Sequence, residues 1–364
     1  MLGTLRESFY ATFGCCLPTP LMHINGRTLK VVKLLGEGGF SLVYLVQDPV
    51  TRRLFAVKKV HCAGNALGSG GDSTQDSVRQ AVREAEMTRL FDHPNIIKVL
   101  DVCVTQDRSG AGKTVYLFLP YYKHGNVQDA LVKRKADGTR FSERQIIDMF
   151  HGVCQAVRQL HCYDLPIVPA RRNNSLGRNP PGEDENSMEL DDAEAQAAER
   201  RVVYAHRDIK PGNVLIGDDG ATPILMDFGS IARAKVVIRT RQQALQEQDR
   251  AAEHCTMAYR APELFDVKTG TTLDERVDIW SLGCLLYAMA YGESPFESAG
   301  TEAGGSIAMA VQNGRYQFPA GDSYYSEKLQ ELIKSMLVVD PKQRPDIHQT
   351  IERVEAHQQQ LGSS

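Results

Sequence analysis

The stretch Ala205-His206-Arg207-Asp208-Ile209-Lys210-Pro211-Gly212-Asn213, followed by Asp227-Phe228-Gly229, decides how this chain is read. It gathers a carboxylate, an ammonium and an amide in a short span: Asp208, Lys210 and Asn213. A carboxylate can accept a proton from a hydroxyl. Amide and carboxylate oxygens suit a hard cation such as magnesium, which takes few carboxylates and completes its shell from other oxygens. Between Asp208 and Asp227, residues Val214 to Met226 leave room for a short hairpin turning at Gly217-Asp218-Asp219-Gly220. Such a hairpin would bring both carboxylates to one place. An isolated Asp is more often a cap or a turn residue, so the flanking sequence has to carry the rest of the argument.

Toward the N-terminus, residues 1–27 read as a tail. Leu29 to Leu35 and Ser41 to Val46 alternate as two strands around a glycine turn, and Leu54 to Val60 reads as a third. Ala63 to Ser77, rich in Gly, Ser and Asp, predicts a flexible connector. Val78 to Phe91 has helical spacing, and Ile96 to Val104 and Thr114 to Leu119 read as two more strands. The sum is an α+β arrangement whose first lobe is a small five-stranded antiparallel sheet with one helix. From about Val127 the reading turns mainly helical, with a long amphipathic helix over Glu143 to His161 and Ser142 as its N-cap. Residues 164–201 hold prolines, Arg and Asn runs and an acidic patch from Glu183 to Glu199, and predict a disordered insert. Asp191 to Arg201, Ala-rich, could be a short solvated helix within it.

With 364 residues the chain has ample material for a core, and a net charge of -3 argues against a nucleic-acid partner. Eight cysteines include the adjacent pair Cys15-Cys16 but no Cys-x-x-Cys, so reduced thiols in a cytosolic setting are expected. No apolar run approaches the roughly 18 residues of a membrane span. The opening residues lack the marks of a secretory signal.

Leu35-Gly36-Glu37-Gly38-Gly39-Phe40-Ser41-Leu42-Val43 lies between two predicted strands, where glycines let backbone N–H groups approach phosphates without an intervening side chain. Alone this loop could equally be a plain structural hairpin. Phe55-Ala56-Val57-Lys58 ends the third strand, and two carboxylates on the following helix, Glu84 and Glu86, compete as partners for Lys58. Being two residues apart, they cannot share a helix face. Downstream come Thr256, Ala261-Pro262-Glu263, Asp278-Ile279-Trp280-Ser281-Leu282-Gly283 and Asp340-Pro341 to Arg344-Pro345.

From about Thr28 to Glu355 these motifs resemble, in order, a eukaryotic protein kinase domain. More narrowly the chain resembles the Numb-associated kinase family and within it the serine/threonine kinase 16 branch, as a fungal-type member. Arg83-Glu84-Ala85, His93-Pro94-Asn95-Ile96, Leu119-Pro120-Tyr121-Tyr122, Asp227-Phe228-Gly229-Ser230 and Cys255-Thr256-Met257-Ala258-Tyr259-Arg260 carry that likeness. The resemblance implies a bilobal kinase fold over 28–357, with N-lobe 28–119, hinge 120–122, C-lobe 123–357 and the insert at 164–201. It implies a serine/threonine kinase using ATP and Mg2+. Asp208 would be the base, Lys210 would steady the transferring phosphate, and Asn213 and Asp227 would bind metal. The family offset from His93 selects Glu84 as the partner of Lys58. Nucleotide contacts would come from Gly36, Gly38, Gly39, Val43, Ala56, Lys58, Pro120, Tyr122 and Leu215, with Leu119 as gatekeeper. Glu263 and Arg344 would form a buried pair, Asp278 would hold the catalytic-loop backbone, and Thr256 would lie in the substrate segment.

Two departures qualify the likeness. Leu2 precedes Gly3, so the myristoylation rule fails, and Cys15 and Cys16 are left as palmitoylation candidates. Ser41 stands where a third glycine is usual. The resemblance further implies protein substrates, a peripheral tether at Golgi or vacuolar membranes through Cys15 and Cys16, and a part in membrane traffic. Between Asp227 and Thr256 the only Ser or Thr hydroxyls are Ser230 and Thr240. Arg241 to Glu253 lacks Gly and Pro and favours helix. A constitutively ordered segment is therefore expected, with Thr240 as the candidate phosphosite. A kinase-fold scaffold without catalysis is the alternative, but Lys58, Asp208, Asn213 and Asp227 are all present.

Overall fold

Six strands form one antiparallel sheet: β1 (Leu21–Ile24), β2 (Arg27–Gly38), β3 (Ser41–Gln47), β4 (Leu54–Cys62), β5 (Asp101–Gln106) and β6 (Lys113–Pro120), in the order β1-β2-β3-β4-β6-β5. They come from a computed structural model that describes residues 20–24, 26–38, 41–62, 73–106, 112–164, 201–297 and 306–362. Pleating puts alternate residues on opposite faces. One face buries Val46, Val57 and Phe118 in a cluster with Ile24, Leu29 and Cys103. The other carries Ala56, Lys58, Val60 and Cys62 along β4. There helix α1 (Ser73–Arg89) packs Ala81 and Ala85 against Cys62, Val115 and Leu117.

The sheet has one strand more than the sequence predicted, and that strand comes out of the expected tail. Leu21 to Ile24 pairs with Arg27 to Lys30, and Ile24 is 1% exposed. The signal was Asn25-Gly26, a strong hairpin dipeptide, and Gly26 has φ 74°. The strand expected at Ile96 to Val104 is β5, displaced to Asp101–Gln106. His93–Ile96 instead groups with the larger unit, where the Leu225 amide donates to the Asn95 carbonyl (2.8 Å) and Asn95 Nδ2 donates to the Pro223 carbonyl (2.8 Å). Helix α1 begins at Ser73, so the last residues of the expected connector are helical, while 63–72 lies outside the described residues. The chain divides into a smaller unit reaching Asp92 and resuming over Ile97–Lys123, and a larger one comprising His93–Ile96 and His124 onward.

The larger unit is built on helices. After α2 (Val127–Ala136), α3 (Glu143–His161) starts where expected: Ser142 accepts from the Gln145 amide and the Gln145 side chain returns a bond to the Ser142 amide. This reciprocal cap satisfies two amides that the first turn would otherwise leave open. Its apolar stripe, Ile146, Phe150, Val153, Val157 and Leu160, is fully buried. Gly152 is where α3 passes closest to Pro223, because a Cβ there would lie 2.5 Å from Pro223 Cγ.

Short strands β7 (Tyr163–Asp164) and β8 (Arg201–Val202) pair at the base of the predicted insert, whose residues 165–200 lie outside the described set. Next come β9 (Tyr204–Ala205), β10 (Val214–Ile216), β11 (Pro223–Leu225), β12 (Ala232–Arg233), β13 (Val236–Val237) and α4 (Arg241–His254). After β14 (Thr272–Leu273), helix α5 (Arg276–Tyr291) is buried at every residue from Val277 to Ala290, as expected for a helix apolar all round. The chain closes with α6 (Ile307–Gln312), α7 (Glu327–Met336) and α8 (Ile347–Gly362). No helix among the described residues is long and apolar enough to cross a membrane.

Candidate active site

In the smaller unit, strand register alone assembles one set of predicted residues. Val43 pairs with Lys58 and Ala56 with Leu119, so Val43, Ala56, Lys58 and Leu119 share a sheet face. Because α1 lies on that face, it presents a carboxylate to Lys58. Lys58 Nζ donates to Glu84 Oε1 at 2.7 Å and to Oε2 at 3.0 Å. Glu84 follows Ala81 by three residues, about one helical turn, and so points to the sheet, whereas Glu86 is exposed. Gly36 pairs with Val43 and Gly38 with Ser41, and a Cβ at Gly36 would meet nothing within 4 Å. Gly39 lies outside the described residues, as do Cys15 and Cys16. Pro120 ends β6 opposite Phe55, and Tyr122 follows, half-buried.

In the larger unit the hairpin foreseen between Asp208 and Asp227 forms from β10 and β11, closed by the Gly220 amide donating to the Gly217 carbonyl (2.9 Å) with Gly220 at φ 76°. Leu215 sits on β10 opposite Ile224. The hairpin returns the chain so that the Met226 amide donates to the Asn213 carbonyl (2.9 Å). His206 Nε2 also bonds the Met226 carbonyl (3.2 Å), and since a carbonyl only accepts, Nε2 carries the proton. Asp227 itself adopts φ 65°, a left-handed conformation rare for a residue with a side chain. Such strain persists only where the surroundings impose it.

Asp208 is held by four donors. Oδ1 accepts from the Thr256 amide (2.9 Å) and hydroxyl (2.7 Å), and Oδ2 accepts from Lys210 Nζ (2.7 Å) and Asn213 Nδ2 (3.0 Å). Asn213 Nδ2 also donates to the Asp208 carbonyl (2.8 Å). With Nδ2 so engaged, the Asn213 amide oxygen is the atom left to serve as a metal ligand. Lys210 Nζ further donates to the Thr256 hydroxyl at 2.6 Å. Thus Thr256, in the predicted substrate segment, and the predicted base are one hydrogen-bonded cluster.

The loop beneath is fixed by Asp278, which is fully buried. It accepts from the His206 amide (2.7 Å), the Arg207 amide (2.8 Å) and His161 Nε2 (3.0 Å). Burial pushes its carboxyl up, but hydrogen bonding and charge from His161, with His206 and the Arg207 amide, outweigh this and hold it below the usual carboxylate range. Beside Thr256, burial pushes the Cys255 thiol up to about 12, which makes it a packing residue and not a nucleophile. Arg344 grips Glu263 through Nη1 (2.7 Å) and Nη2 (2.8 Å).

Two contacts were not foreseen. Ser230 Oγ donates to the His254 carbonyl at the end of α4 (2.8 Å), and Arg207 Nη1 donates to Glu247 Oε2 within α4 (2.9 Å). Thr240, the candidate phosphosite, is the N-cap of α4, its hydroxyl accepting from the Gln243 amide.

A family profile described as protein kinase domain matches residues 29–167 and 199–354. Serine/threonine-protein kinase 16 of Homo sapiens is 35% identical over 344 residues, spanning 94% of this chain and 95% of the human protein. Serine/threonine-protein kinase ENV7 of Saccharomyces cerevisiae is 34% identical over 375 residues, spanning 96% of this chain and 98% of its own. Serine/threonine-protein kinase ppk13 of Schizosaccharomyces pombe is 34% identical over 337 residues, 91% of each chain.

Proposed function

This chain belongs to the protein kinase family, in its serine/threonine kinase 16-like branch, and from that premise we propose that it transfers the γ-phosphate of Mg-ATP to Ser and Thr hydroxyls of proteins. The observation that carries this reading is the orientation of Asp208 by four donors, one pair of them from Thr256. In the reaction the substrate oxygen forms a bond to the γ-phosphorus while the bond to the β-phosphate oxygen breaks and ADP leaves. Asp208 takes the hydroxyl proton, and the Lys210 ammonium beside it offsets charge on the transferring group.

The donor set of Asn213 Oδ1 and the Asp227 carboxylate fits magnesium. It is oxygen-only and too small to be a cage, which suits an ion that shares its shell with phosphate oxygens. Bound there, the ion would neutralise phosphate charge. Lys58, held straight by Glu84, is assigned to the α- and β-phosphates.

Transfer of labelled phosphate to a generic protein substrate and to the enzyme itself, beside Asp208→Asn, tests the reading. We expect label on Ser and Thr, reduced about 10²- to 10⁴-fold in the variant. Equal label from both proteins would remove Asp208 from its role. No transfer by folded protein that binds ATP would favour a scaffold.

For location we propose peripheral membrane attachment through Cys15 and Cys16, serving membrane traffic. Two adjacent acyl chains would give a lasting tether where one would not. Replacing both cysteines with Ser should move the protein from the membrane to the soluble fraction; unchanged partitioning would sink the idea.

A further inference from the structure

Helix α4 turns an Ala-Glu-Ala stripe inward, the alanines buried and Glu247 half-buried. Ala244 and Ala251 are 4% and 3% exposed, and Glu247 lies between them at offsets of three and four on the same face. A carboxylate in the middle of a buried face needs a counter-charge. Arg207 supplies the closer one at 2.9 Å, in a pair whose side chains are 4% and 14% exposed, and Arg250 on the same helix lies at 3.7 Å from the other oxygen. Arg207 in turn depends on Glu247. Its guanidinium makes this one side-chain hydrogen bond among the described residues, its buried Nε has no partner, and its backbone is left-handed at φ 70°. It immediately precedes Asp208.

The two Ser or Thr hydroxyls of the segment between Asp227 and Thr256 are both engaged elsewhere. Ser230 donates to the His254 carbonyl, and Thr240 caps α4. Thr240 is also seven residues before Glu247, about 10 Å along a helix axis.

We propose that Glu247 is a positioning residue for the transfer reaction, a built-in anion that holds Arg207 and thereby the loop bearing Asp208, so that the segment is ordered without phosphorylation. The coupling runs from Glu247 to Arg207, whose amide is tied to Asp278, and on to Asp208, the adjacent residue. The Ser230 and Thr240 contacts pin the two flanks of the same segment, and Glu247 adds a side-chain link to the catalytic loop beside the Thr256 bonds to Asp208 and the pairing of β12 with β9.

The inference rests on the kinase reading, and its test separates the two. In phosphatase-treated protein, Glu247→Gln should lower kcat about ten- to a hundredfold, with the KM for ATP within about twofold of the parent. Glu247→Asp, which keeps the charge, should recover most of kcat. Asp208→Asn supplies the background for transfer. Backbone hydrogen exchange at 206–208 reads the ordering without any turnover: it should be slow in the phosphatase-treated parent and faster in Glu247→Gln. Unchanged exchange and unchanged kcat in Glu247→Gln would overturn the proposal. So would loss of the parent's activity on phosphatase treatment, or equal loss in Glu247→Asp and Glu247→Gln.

Discussion

Two ion pairs, one in each unit, resemble each other in distance and differ in commitment. Lys58 meets Glu84 at 2.7 and 3.0 Å, with side chains 18% and 14% exposed. Arg344 meets Glu263 at 2.7 and 2.8 Å, with the arginine 0% exposed. Every donor of Arg344 is used: Nε on the Val338 carbonyl, Nη1 on Glu263 and the Arg276 carbonyl, and Nη2 on Glu263 and the Val339 carbonyl. Trp280 lies under its guanidinium at 5.1 Å. Such a pair repays its desolvation only because nothing in it is left unsatisfied. It ties three chain segments together and offers no site for chemistry. The lysine pair joins one strand to one helix and is still reached by solvent, which is what a phosphate-binding group requires.

That contrast can be broken by a matched pair of variants. Arg344→Lys replaces a fork of five donors with a point charge of three and strands buried carbonyls. It should cost about 3–5 kcal/mol of stability while the folded fraction stays active. Glu84→Gln should do the reverse: about 1 kcal/mol in stability, but near 10²-fold in kcat/KM because Lys58 loses its bearing. Thermal melts and steady-state kinetics on both proteins decide it. If Glu84→Gln melted as early as Arg344→Lys, the lysine pair would be scaffold.

The units also differ in how legible they were. In the larger one, element ends are written in caps: Ser142 with Gln145 starts α3, and Thr240 with Gln243 starts α4, so local sequence suffices. In the smaller one, ends depend on pairing across the sheet. Residues 21–24 looked like a tail because their partner strand lies beyond a turn, and Ile96 was drawn away by a bridge to Leu225. The candidate site residues came from motif order and resemblance, and they lie at fixed offsets on β4, on α1 and in the loop before β10. Glu247 was missed for the opposite reason: its partner is forty residues away (|i−j|=40), and within its helix it reads as one solvated charge among many.

A third carboxylate sharpens the comparison by separating satisfaction from burial. Asp219, at the hairpin tip, is as well bonded as Glu263, yet it is exposed. The Thr222 hydroxyl donates to it, as do the Ala221 and Thr222 amides at 2.9 Å, and together they hold its carboxyl down at about 2. If satisfaction alone set the cost, Asp219→Ala would rival Arg344→Lys. Solvent can take over each of these bonds, so the loss should stay below about 1 kcal/mol. Its pH dependence has a definite sign. The folded carboxyl titrates below its unfolded value of 3.8, so its contribution is complete above pH 4 and fades as pH falls toward 2. Denaturant melts of parent and Asp219→Ala at a series of pH values should show a small gap that closes in acid. A gap that persisted at pH 2 would mean the turn is held by something other than this charge.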